Sequence, residues 1–532
     1  MSLRYLLTLL AALVPFGFLG ACSSPAGDEA EQDGVLLVYV VVDRLRADLL
    51  DRYESAFTGG FVRLRAAGHR WENATVDHAH TATAAGHATA AMGTHPHRHG
   101  VVGNDWLEQG EDGSWESVYA LRDRGARIVG ESGMEGRGPA NLVRTGLPDW
   151  IEAHDSKARI VSISGKDRAA VAMAGRSRGE VYWMSSSRGR FLTSTYYRNN
   201  YPRWVERFHR RRLANSWSDT VWHSTIPHGV ESLSRPDTFA FEGDGVNTYF
   251  PHRASREADG TDARSLNRWR NRGPYPDQAA LDLAREAVRE LKLGRRGAID
   301  YLALALSQVD RVGHSYGPFS REQLDNLLRL DRELGSFMEF LDENVGAGRW
   351  MLALTADHGV MELPEARRGL GLFGRRVLQQ ELDAVIARAE ATAEAAGTDP
   401  LAQARAAAAT AREADWVADA FVWDDLIREG PADSLQALYL RSWHPERRLP
   451  PVGHLGIGVR LLEGAYAGNE RGTGHESPYI YDRHVPFMIM ARGLEAGTTT
   501  ERVSLVDLAP TLAQLLGVPY PDDLDGRSVV RR

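Results

Sequence analysis

The segment Val35–Val42, which runs Val-Leu-Leu-Val-Tyr-Val-Val-Val, has an apolar side chain at every position and ends directly before Asp43. A strand of this composition must be buried on both faces, and parallel sheets covered by helices are its usual setting. Comparable apolar runs occur at residues 159–164, 301–306, 350–355 and 485–490. Helical patterns at 278–293 and 320–344 separate some of these runs. The sequence therefore predicts an α/β fold with a mostly parallel central sheet flanked by helices.

Residues near the ends of the predicted helices supply start and stop signals. Ser320 and Gln323 predict a capping box at the start of the helix at 320–344. The apolar stretch after Ser504 predicts a last short helix that is closed by Gly517. In sheets of this kind, ligands collect beyond the carboxyl ends of the strands, where Asp43 lies.

Two regions interrupt the alternation of strands and helices. The first, at about 175–276, is rich in Trp, Tyr, Arg and Ser, and the second, at about 362–470, contains an Ala-rich helical stretch near 378–414. We expect one domain over about 35–520, in which both regions are insertions that cap the ligand site. Four aromatic residues of the first insertion could contact a ligand, but aromatic residues more often form a core: Tyr182, Trp183, Tyr196 and Tyr197.

The start of the chain has the features of an export signal. Arg4 precedes an apolar stretch at 5–21, and the only cysteine of the chain, Cys22, follows Leu-Gly-Ala. This pattern resembles the lipobox of bacterial lipoproteins, which implies a signal peptide at 1–21, lipidation of Cys22 and a flexible tether at 22–34. An ordinary signal peptide with an incidental cysteine is the alternative. We expect an exported protein, periplasmic or anchored in the outer membrane, whose only membrane contact is this lipid anchor.

The net charge of -8 gives no electrostatic reason to expect a nucleic-acid partner, because such partners need a basic face. The sequence does not indicate an oligomeric state. With no cysteine beyond Cys22, the mature chain has no disulfide bond.

Acidic and imidazole side chains follow several of the predicted strands. Asp310 and His314 follow one strand, Asp357 and His358 follow the next, and Asp43 ends the first. Carboxylate oxygen and imidazole nitrogen together suit a divalent metal such as zinc. With His475 near the far end of the chain, these side chains supply ligands for two metal ions. The pattern predicts a hydrolase of phosphate or sulfate esters.

The segment from Thr81 to Ala88 opens a helix with small residues and two threonines. A hydroxyl at a helix start is most often a cap, but it can also act as a nucleophile beside a metal ion. Five nearby histidines lie in predicted loop, where we expect most of them at the surface or in supporting positions: His78, His80, His95, His97 and His99.

Seven short motifs occur in an order that resembles the alkaline phosphatase superfamily, and specifically its PafA-type phosphate-monoester hydrolases. The resemblance covers residues from about 35 to 520. One departure is Ala85, where relatives commonly carry proline. The motifs are Val-Val-Asp43-Arg-Leu-Arg, Thr81-Ala-Thr83-Ala-Ala-Gly-His, His99-Gly-Val-Val-Gly-Asn104, Gly165-Lys166-Asp-Arg168, Asp310-Arg-Val-Gly-His314, Ala-Asp357-His358-Gly and Gly-His475-Glu-Ser-Pro-Tyr.

The resemblance implies a site with two Zn2+ ions. One ion would be held by Asp310, His314 and His475. The other would be held by Asp43, Asp357 and His358, with Thr83 as a further ligand and as the nucleophile. Thr83 would form a phosphothreonine that water then hydrolyses, and Thr81 is the competing hydroxyl.

Three further residues would give specificity for phosphate monoesters. Asn104 would donate to a nonbridging oxygen, and Lys166 and Arg168 would supply two positive charges. A monoester carries two negative charges where a diester or a sulfate ester carries one, so two cations favour the monoester. Taken alone, such charges at a strand end are more often solvated surface groups.

Other functions fit parts of the pattern. A phosphodiesterase or nucleotide pyrophosphatase on the same scaffold would share the metals but would lack the Lys166 and Arg168 pair. A sulfatase would need a Cys or Ser motif that the chain does not have at Thr83, and a manganese phosphoglycerate mutase would not need an export signal. A surface lipoprotein that binds metal without catalysis remains a further alternative.

Overall fold

The computed structural model describes residues 34–215, 221–256 and 262–530. The predicted signal peptide, Cys22 and nearly all of the predicted tether lie outside the described residues. No helix within these ranges combines the length and apolar character needed to span a membrane.

A nine-stranded sheet forms the centre of the molecule. Its strand order is β9-β2-β8-β7-β1-β6-β3-β4-β5, and β5 and β8 run opposite to the other strands. The prediction of a mostly parallel α/β sheet is confirmed. The strands are β1 Val35–Val42, β2 His69–Thr75, β3 Ile160–Ser164, β4 Glu180–Met184, β5 Phe191–Leu192, β6 Ile299–Leu306, β7 Trp350–Thr355, β8 Phe487–Met490 and β9 Gly497–Ser504.

Strand β1 is the middle strand of the sheet. It pairs with β6 on one side and β7 on the other, both in parallel register. Its side chains from Leu36 to Val42 have no exposed surface. Helices cover the sheet, as the continuous apolar sequence requires. Outside the second predicted insertion the helices are Ala47–Arg52, Gly60–Ala67, Thr83–Met92, Pro96–His99, Leu147–His154, Asp167–Ala174, Arg203–Asn215, Ala263–Arg270, Tyr275–Leu291, Gln308–Tyr316, Arg321–Leu341, Ile480–Arg483 and Leu508–Leu516.

The Ser320 cap and the Gly517 helix end are confirmed, but the Gln323 side chain has a different partner from the one predicted. The Ser320 hydroxyl accepts the backbone N–H of Gln323 at 3.0 Å, which caps helix Arg321–Leu341. The Gln323 side chain does not close the box but donates to the Val309 carbonyl at 2.8 Å. This bond ties the capped helix to Gln308–Tyr316, which carries two candidate metal ligands. Gly517 ends the last helix with a φ of 69°, as predicted.

The central sheet extends into the region predicted as the first insertion. Strands β4 and β5 both lie after residue 175 and pair at the sheet edge. Tyr182 and Trp183 belong to β4 and are buried, and Tyr197 is buried nearby, so these aromatic residues form core. The rest of the region adds the short strand pair Val221–Trp222 and His252–Arg253 and two of the helices given above.

The region at about 362–470 forms a separate layer with small clusters of its own. The Ala-rich stretch makes two helices rather than one, because Asp399 caps a new helix that begins at Pro400. Buried alanines of both helices pack on Ala420, Val422 and Ile457. Its elements are helices Pro364–Gly369, Gln379–Ala395, Pro400–Ala411, Trp423–Glu429 and Ser434–Ser442, and strands Arg375–Leu378, Val417–Val422, Ile457–Leu461 and Ala465–Gly468.

Candidate active site

Three buried carboxylates meet at the carboxyl edge of the central sheet. Asp43 directly follows β1, Asp357 follows β7, and Asp310 lies in the first turn of helix Gln308–Tyr316 after β6. Because β7, β1 and β6 are adjacent and parallel, their carboxyl ends bring these side chains to one place.

The six predicted Asp and His metal ligands form two groups. In each group, three potential ligand atoms lie within 4.8 Å of one another. Asp310, His314 and His475 make the first group, which opens to solvent because the His314 side chain is 44% exposed. The second group is fully buried and consists of Asp43, Asp357 and His358.

The three histidines present the same nitrogen to the site. Each Nδ1 lies against a backbone carbonyl: that of Thr473 at 3.0 Å for His314, of Gly359 at 2.9 Å for His358, and of Thr81 at 2.6 Å for His475. A carbonyl only accepts, so Nδ1 carries the proton and Nε2 keeps its lone pair. A hydrogen bond from Nδ1 to a backbone carbonyl is typical of histidines that bind metal through Nε2.

The Nε2 lone pairs of His314 and His358 therefore face carboxylate oxygens at short distances. His314 Nε2 is 3.1 Å from Asp310 Oδ1, and His358 Nε2 is 3.4 Å from Asp357 Oδ2. The buried atoms Asp43 Oδ1, Asp310 Oδ1 and His358 Nε2 have no hydrogen-bond partner among the described residues. Two acceptors that face each other in a buried site are stabilised by a cation between them. The donor set thus fits two divalent metal ions.

Burial and neighbouring charges move the carboxyl pKa values in opposite directions. Burial, reinforced by Asp357, raises the pKa of Asp43 to about 6. Burial alone would raise the pKa of Asp357, but His358 and His87 lower it to about 2. Asp357 is therefore ionised across the whole physiological pH range, whereas Asp43 loses its proton at about pH 6.

Lys166 connects the two groups. Its Nζ is 2.6 Å from Asp43 Oδ2, 2.5 Å from Asp310 Oδ2 and 3.3 Å from the Thr83 hydroxyl. Lys166 reaches this position because it follows β3, the parallel neighbour of β6, and precedes helix Asp167–Ala174. The lysine thus contacts one carboxylate of each group and the predicted nucleophile.

Thr83 is the first residue of helix Thr83–Met92 and is buried at the site. Asn104 is anchored on the same turn, since its Oδ1 accepts the backbone N–H of Ala84 at 3.0 Å, which leaves the Asn104 NH2 group as a donor. Thr81 is engaged elsewhere: its hydroxyl accepts the backbone N–H of Glu476 at 3.0 Å.

Arg168 is the second residue of helix Asp167–Ala174, which follows Lys166, and is half-buried. Asp167 organises its surroundings by accepting the Arg168 backbone N–H at 2.8 Å, the Tyr119 hydroxyl at 2.6 Å and Arg137 Nε at 2.6 Å. The Arg168 Nε is buried without a hydrogen-bond partner among the described residues. Although burial opposes it, interaction with Tyr119 and Asp167 raises the pKa of Arg168, so it stays charged.

Sequence reasoning missed two residues that hold the ligands. The Nδ1 of His87 is 3.0 Å from Asp357 Oδ2 and 2.9 Å from the Thr83 carbonyl, and His87 is fully buried. The guanidinium of Arg44 donates to the carbonyls of Asp310 and Thr473 at 3.2 Å and 3.1 Å. Both residues stand inside the quoted motifs, which was the available signal.

Three of the five clustered histidines, His78, His95 and His99, are buried, so of the two expected positions, at the surface or supporting the site, the surface does not apply to them. Their loop is covered by the second insertion, where Ser442 Oγ accepts the backbone N–H groups of Ala79 and His80 at 3.0 Å and 3.1 Å. A contact between segments so far apart in the chain leaves no local sequence signal.

Comparison with known proteins gives the class of this chain. Residues 37–455 match the family described as type I phosphodiesterase / nucleotide pyrophosphatase, and the chain belongs to that family.

Particular relatives cover nearly all of the chain. It is 31% identical to the alkaline phosphatase PhoV of Synechococcus elongatus over 93% of this chain and 92% of that protein. It is 29% identical to the alkaline phosphatase PafA of Elizabethkingia meningoseptica over 98% of both. A crystal structure of PafA superimposes with a TM-score of 0.83 at 25% identity over 93% of this chain and 98% of that one. A PafA variant with four substitutions gives the same values.

Proposed function

We propose that this protein is an alkaline phosphatase that hydrolyses phosphate monoesters at a two-zinc centre through a phosphothreonine intermediate. The observation that carries the proposal is the position of Lys166, whose ammonium group contacts Thr83 and one carboxylate of each candidate metal group. Relatives named alkaline phosphatases along nearly the full length support the same activity.

Zinc fits the donor chemistry of both groups. Asp310, His314 and His475 would hold one ion, and Asp43, Asp357 and His358 the other, so each ion would have three Asp or His ligands, with Thr83 as a further ligand of the second. Catalytic zinc sites usually have three protein ligands and one open position. Two such ions supply charge that stabilises the attacking and departing oxygens of an in-line displacement.

Thr83 is the proposed nucleophile because it is the hydroxyl that Lys166 approaches, whereas the Thr81 hydroxyl accepts a backbone N–H in the loop that carries His475. The Thr83 oxygen would bond to phosphorus as the ester oxygen leaves, and water would then release phosphate. The position at a helix start favours the negative charge of the phosphoryl group.

Asn104, Lys166 and Arg168 are the proposed specificity residues. The NH2 group of Asn104 would donate to a nonbridging oxygen, and Lys166 and Arg168 would balance the two charges of a monoester. The substituted PafA variant supports this set. Its four changes are at a threonine, an asparagine, a lysine and an arginine, with the spacing of Thr83, Asn104, Lys166 and Arg168 here.

A comparison of p-nitrophenyl phosphate with bis-p-nitrophenyl phosphate tests the proposal on the zinc-loaded enzyme. We expect the monoester to react far faster, and chelation to abolish turnover until zinc is restored. Arg168→Ala should lower the monoester rate by about tenfold or more and change the diester rate less, because the charge difference is lost. Comparable rates on both substrates would instead support a phosphodiesterase, and no turnover with zinc bound would support a metal-binding lipoprotein.

The same proposal assigns the catalytic domain to about 35–520, with the regions at about 175–276 and 362–470 as caps. It also assigns residues 1–21 to a signal peptide and Cys22 to a lipid anchor followed by a tether, which makes the enzyme an exported lipoprotein. Fractionation of cells that express the full chain and the Cys22→Ser variant tests the anchor, since the variant should leave the membrane fraction.

A further inference from the structure

A cavity of about 270 Å³ lies between the second insertion and the core of the molecule. Its walls include side chains of the insertion, such as Val385, Trp416, Trp423 and Tyr439, and part of the core segment that begins at His475. No lysine or arginine is among the described residues that line it. The cavity is therefore apolar and aromatic, with Glu476 and Asp482 as its acidic groups.

Two contacts join this cavity to the candidate active site. His475 lines the cavity and presents Nε2 to Asp310 at 3.8 Å. His80 and Leu449 also line it and lie against Gly103, where a side-chain Cβ would be 3.1 Å from an atom of each. Gly103 directly precedes Asn104, so the cavity wall includes one candidate metal ligand, His475, and adjoins the residue before Asn104.

Two of the tyrosine hydroxyl groups in the wall are already bonded to the protein. The Tyr479 hydroxyl donates to the Leu461 carbonyl at 2.6 Å, and that of Tyr439 to the Val459 carbonyl at 3.5 Å. Their rings are thus left as apolar surface. An apolar cavity of about 150 Å³ is enough for benzene, so this larger space has room for a two-ring aromatic group.

We infer that this cavity binds the leaving group of the substrate and selects phosphate monoesters whose leaving group is an uncharged aryl group of about two fused rings; the inference rests on the proposed function. In an in-line displacement the ester oxygen leaves on the side of phosphorus opposite to Thr83. The bond from Thr83 Oγ to phosphorus forms and the bond to the aryl oxygen breaks. The threonine proton passes to solvent, and the aryl oxygen keeps the electron pair and takes a proton from solvent.

The test compares 1-naphthyl phosphate with phenyl phosphate, whose phenol leaving groups have similar acidity. We expect kcat/KM to be about tenfold higher for the naphthyl ester, because the second ring is buried. Val385→Phe should fill the cavity and reduce this ratio to about twofold or less, while Ala384→Phe, an exposed neighbour on the same helix, should leave it unchanged. If Val385→Phe does not fold, Ala467→Leu fills the same cavity from the strand Ala465–Gly468.

Binding of 1-naphthol, followed through the fluorescence of Trp416 and Trp423, separates this inference from the proposed function. Saturable binding that Val385→Phe removes supports the cavity as a ligand site even if no phosphate ester is hydrolysed, in which case the proposed function alone fails. Equal kcat/KM for the two esters, or no binding of 1-naphthol, overturns the inference.

Discussion

Arg44 and Glu476 have positive φ angles, of 70° and 82°, and directly follow the candidate metal ligands Asp43 and His475. Side chains other than glycine seldom adopt this region, and each instance costs on the order of 1 kcal/mol or more. Hydrogen bonds stabilise both turns. The backbone N–H of Arg44 donates to the Asp357 carboxylate at 3.0 Å, and the backbone N–H of Glu476 donates to the Thr81 hydroxyl. The backbone strain thus lies where two ligands must be aimed at the site.

At the same scale, Thr83→Ala should lower turnover of p-nitrophenyl phosphate by a factor on the order of a thousand or more, because the attacking oxygen is lost. Thr83→Ser, which keeps a hydroxyl, should recover part of the rate. Thr81→Ala should cost about tenfold or less, since that hydroxyl supports the loop of His475. Steady-state kinetics with zinc content measured for each variant makes the comparison. A larger loss for Thr81→Ala than for Thr83→Ala would move the nucleophile to Thr81.

At the scale of elements, helix Thr83–Met92 packs on the strand end that carries Asp357. A Cβ on Gly86 would lie 2.4 Å from the Asp357 carbonyl oxygen and 2.7 Å from its Cβ. Glycine is therefore required at this contact, because the Asp357 carbonyl oxygen and Cβ cannot move without moving the backbone of a candidate metal ligand. The short distance between helix and strand sets how closely Thr83 can approach the second metal group.

Gly86→Ala should accordingly destabilise the fold by about 1–3 kcal/mol and reduce zinc occupancy, because the helix must move away from Asp357. Chemical denaturation and metal analysis measure both effects. Gly369→Ala is the matched control: this helical glycine has no atom within 4 Å of the added Cβ, so the free energy of unfolding should stay the same or rise slightly. Full zinc occupancy in Gly86→Ala would contradict the close contact.

The elements differ in how far the sequence could predict them. Strands β1 and β7 have the predicted bounds because an unbroken apolar run leaves no other solution. Strands β2 and β9, His-Arg-Trp-Glu-Asn-Ala-Thr and Gly-Thr-Thr-Thr-Glu-Arg-Val-Ser, were not predicted, since they lie at one side of the sheet and are largely polar. The six ligand candidates could be predicted because each follows or adjoins a recognisable motif. Contacts such as that of Gln323 with Val309 join separate elements and have no local pattern.

At the scale of the whole molecule, we expect the two candidate metal groups to contribute to stability when they hold metal. Removal of the proposed zinc would leave Asp43 Oδ1 and Asp310 Oδ1 buried without a hydrogen-bond partner among the described residues, because the single ammonium group of Lys166 contacts only the other oxygen of each carboxylate. Metal present at a thousandfold excess over its Kd stabilises a fold by about 4 kcal/mol per site. We expect chelation to lower the Tm and added zinc to restore it, as measured by calorimetry. Thr83→Ala serves as control, since it should keep this stabilisation without turnover. An unchanged Tm would contradict a metal centre in the folded protein.

The zinc-dependent part of the stability should depend on pH with a defined sign. The pKa of Asp43 is raised to about 6 from 3.8, so without metal the folded protein loses stability as pH rises through this window. Metal binding needs the ionised carboxylate, so the gain from zinc should be largest above about pH 6 and shrink below it. The difference in Tm with and without zinc, measured from pH 5 to 8, gives this dependence.

Asp43 and His475 stand near opposite ends of the chain, yet each is a member of one of the two adjoining ligand groups. A ribosome must therefore release almost the entire polypeptide before the pair of groups is complete, and a fragment that stops before His475 can assemble at most one of them. If the proposed function is correct, full metal loading reports that synthesis has passed His475 and that the segments of Asp43 and His475 have docked, which makes metal content a readout of folding as well as of catalysis.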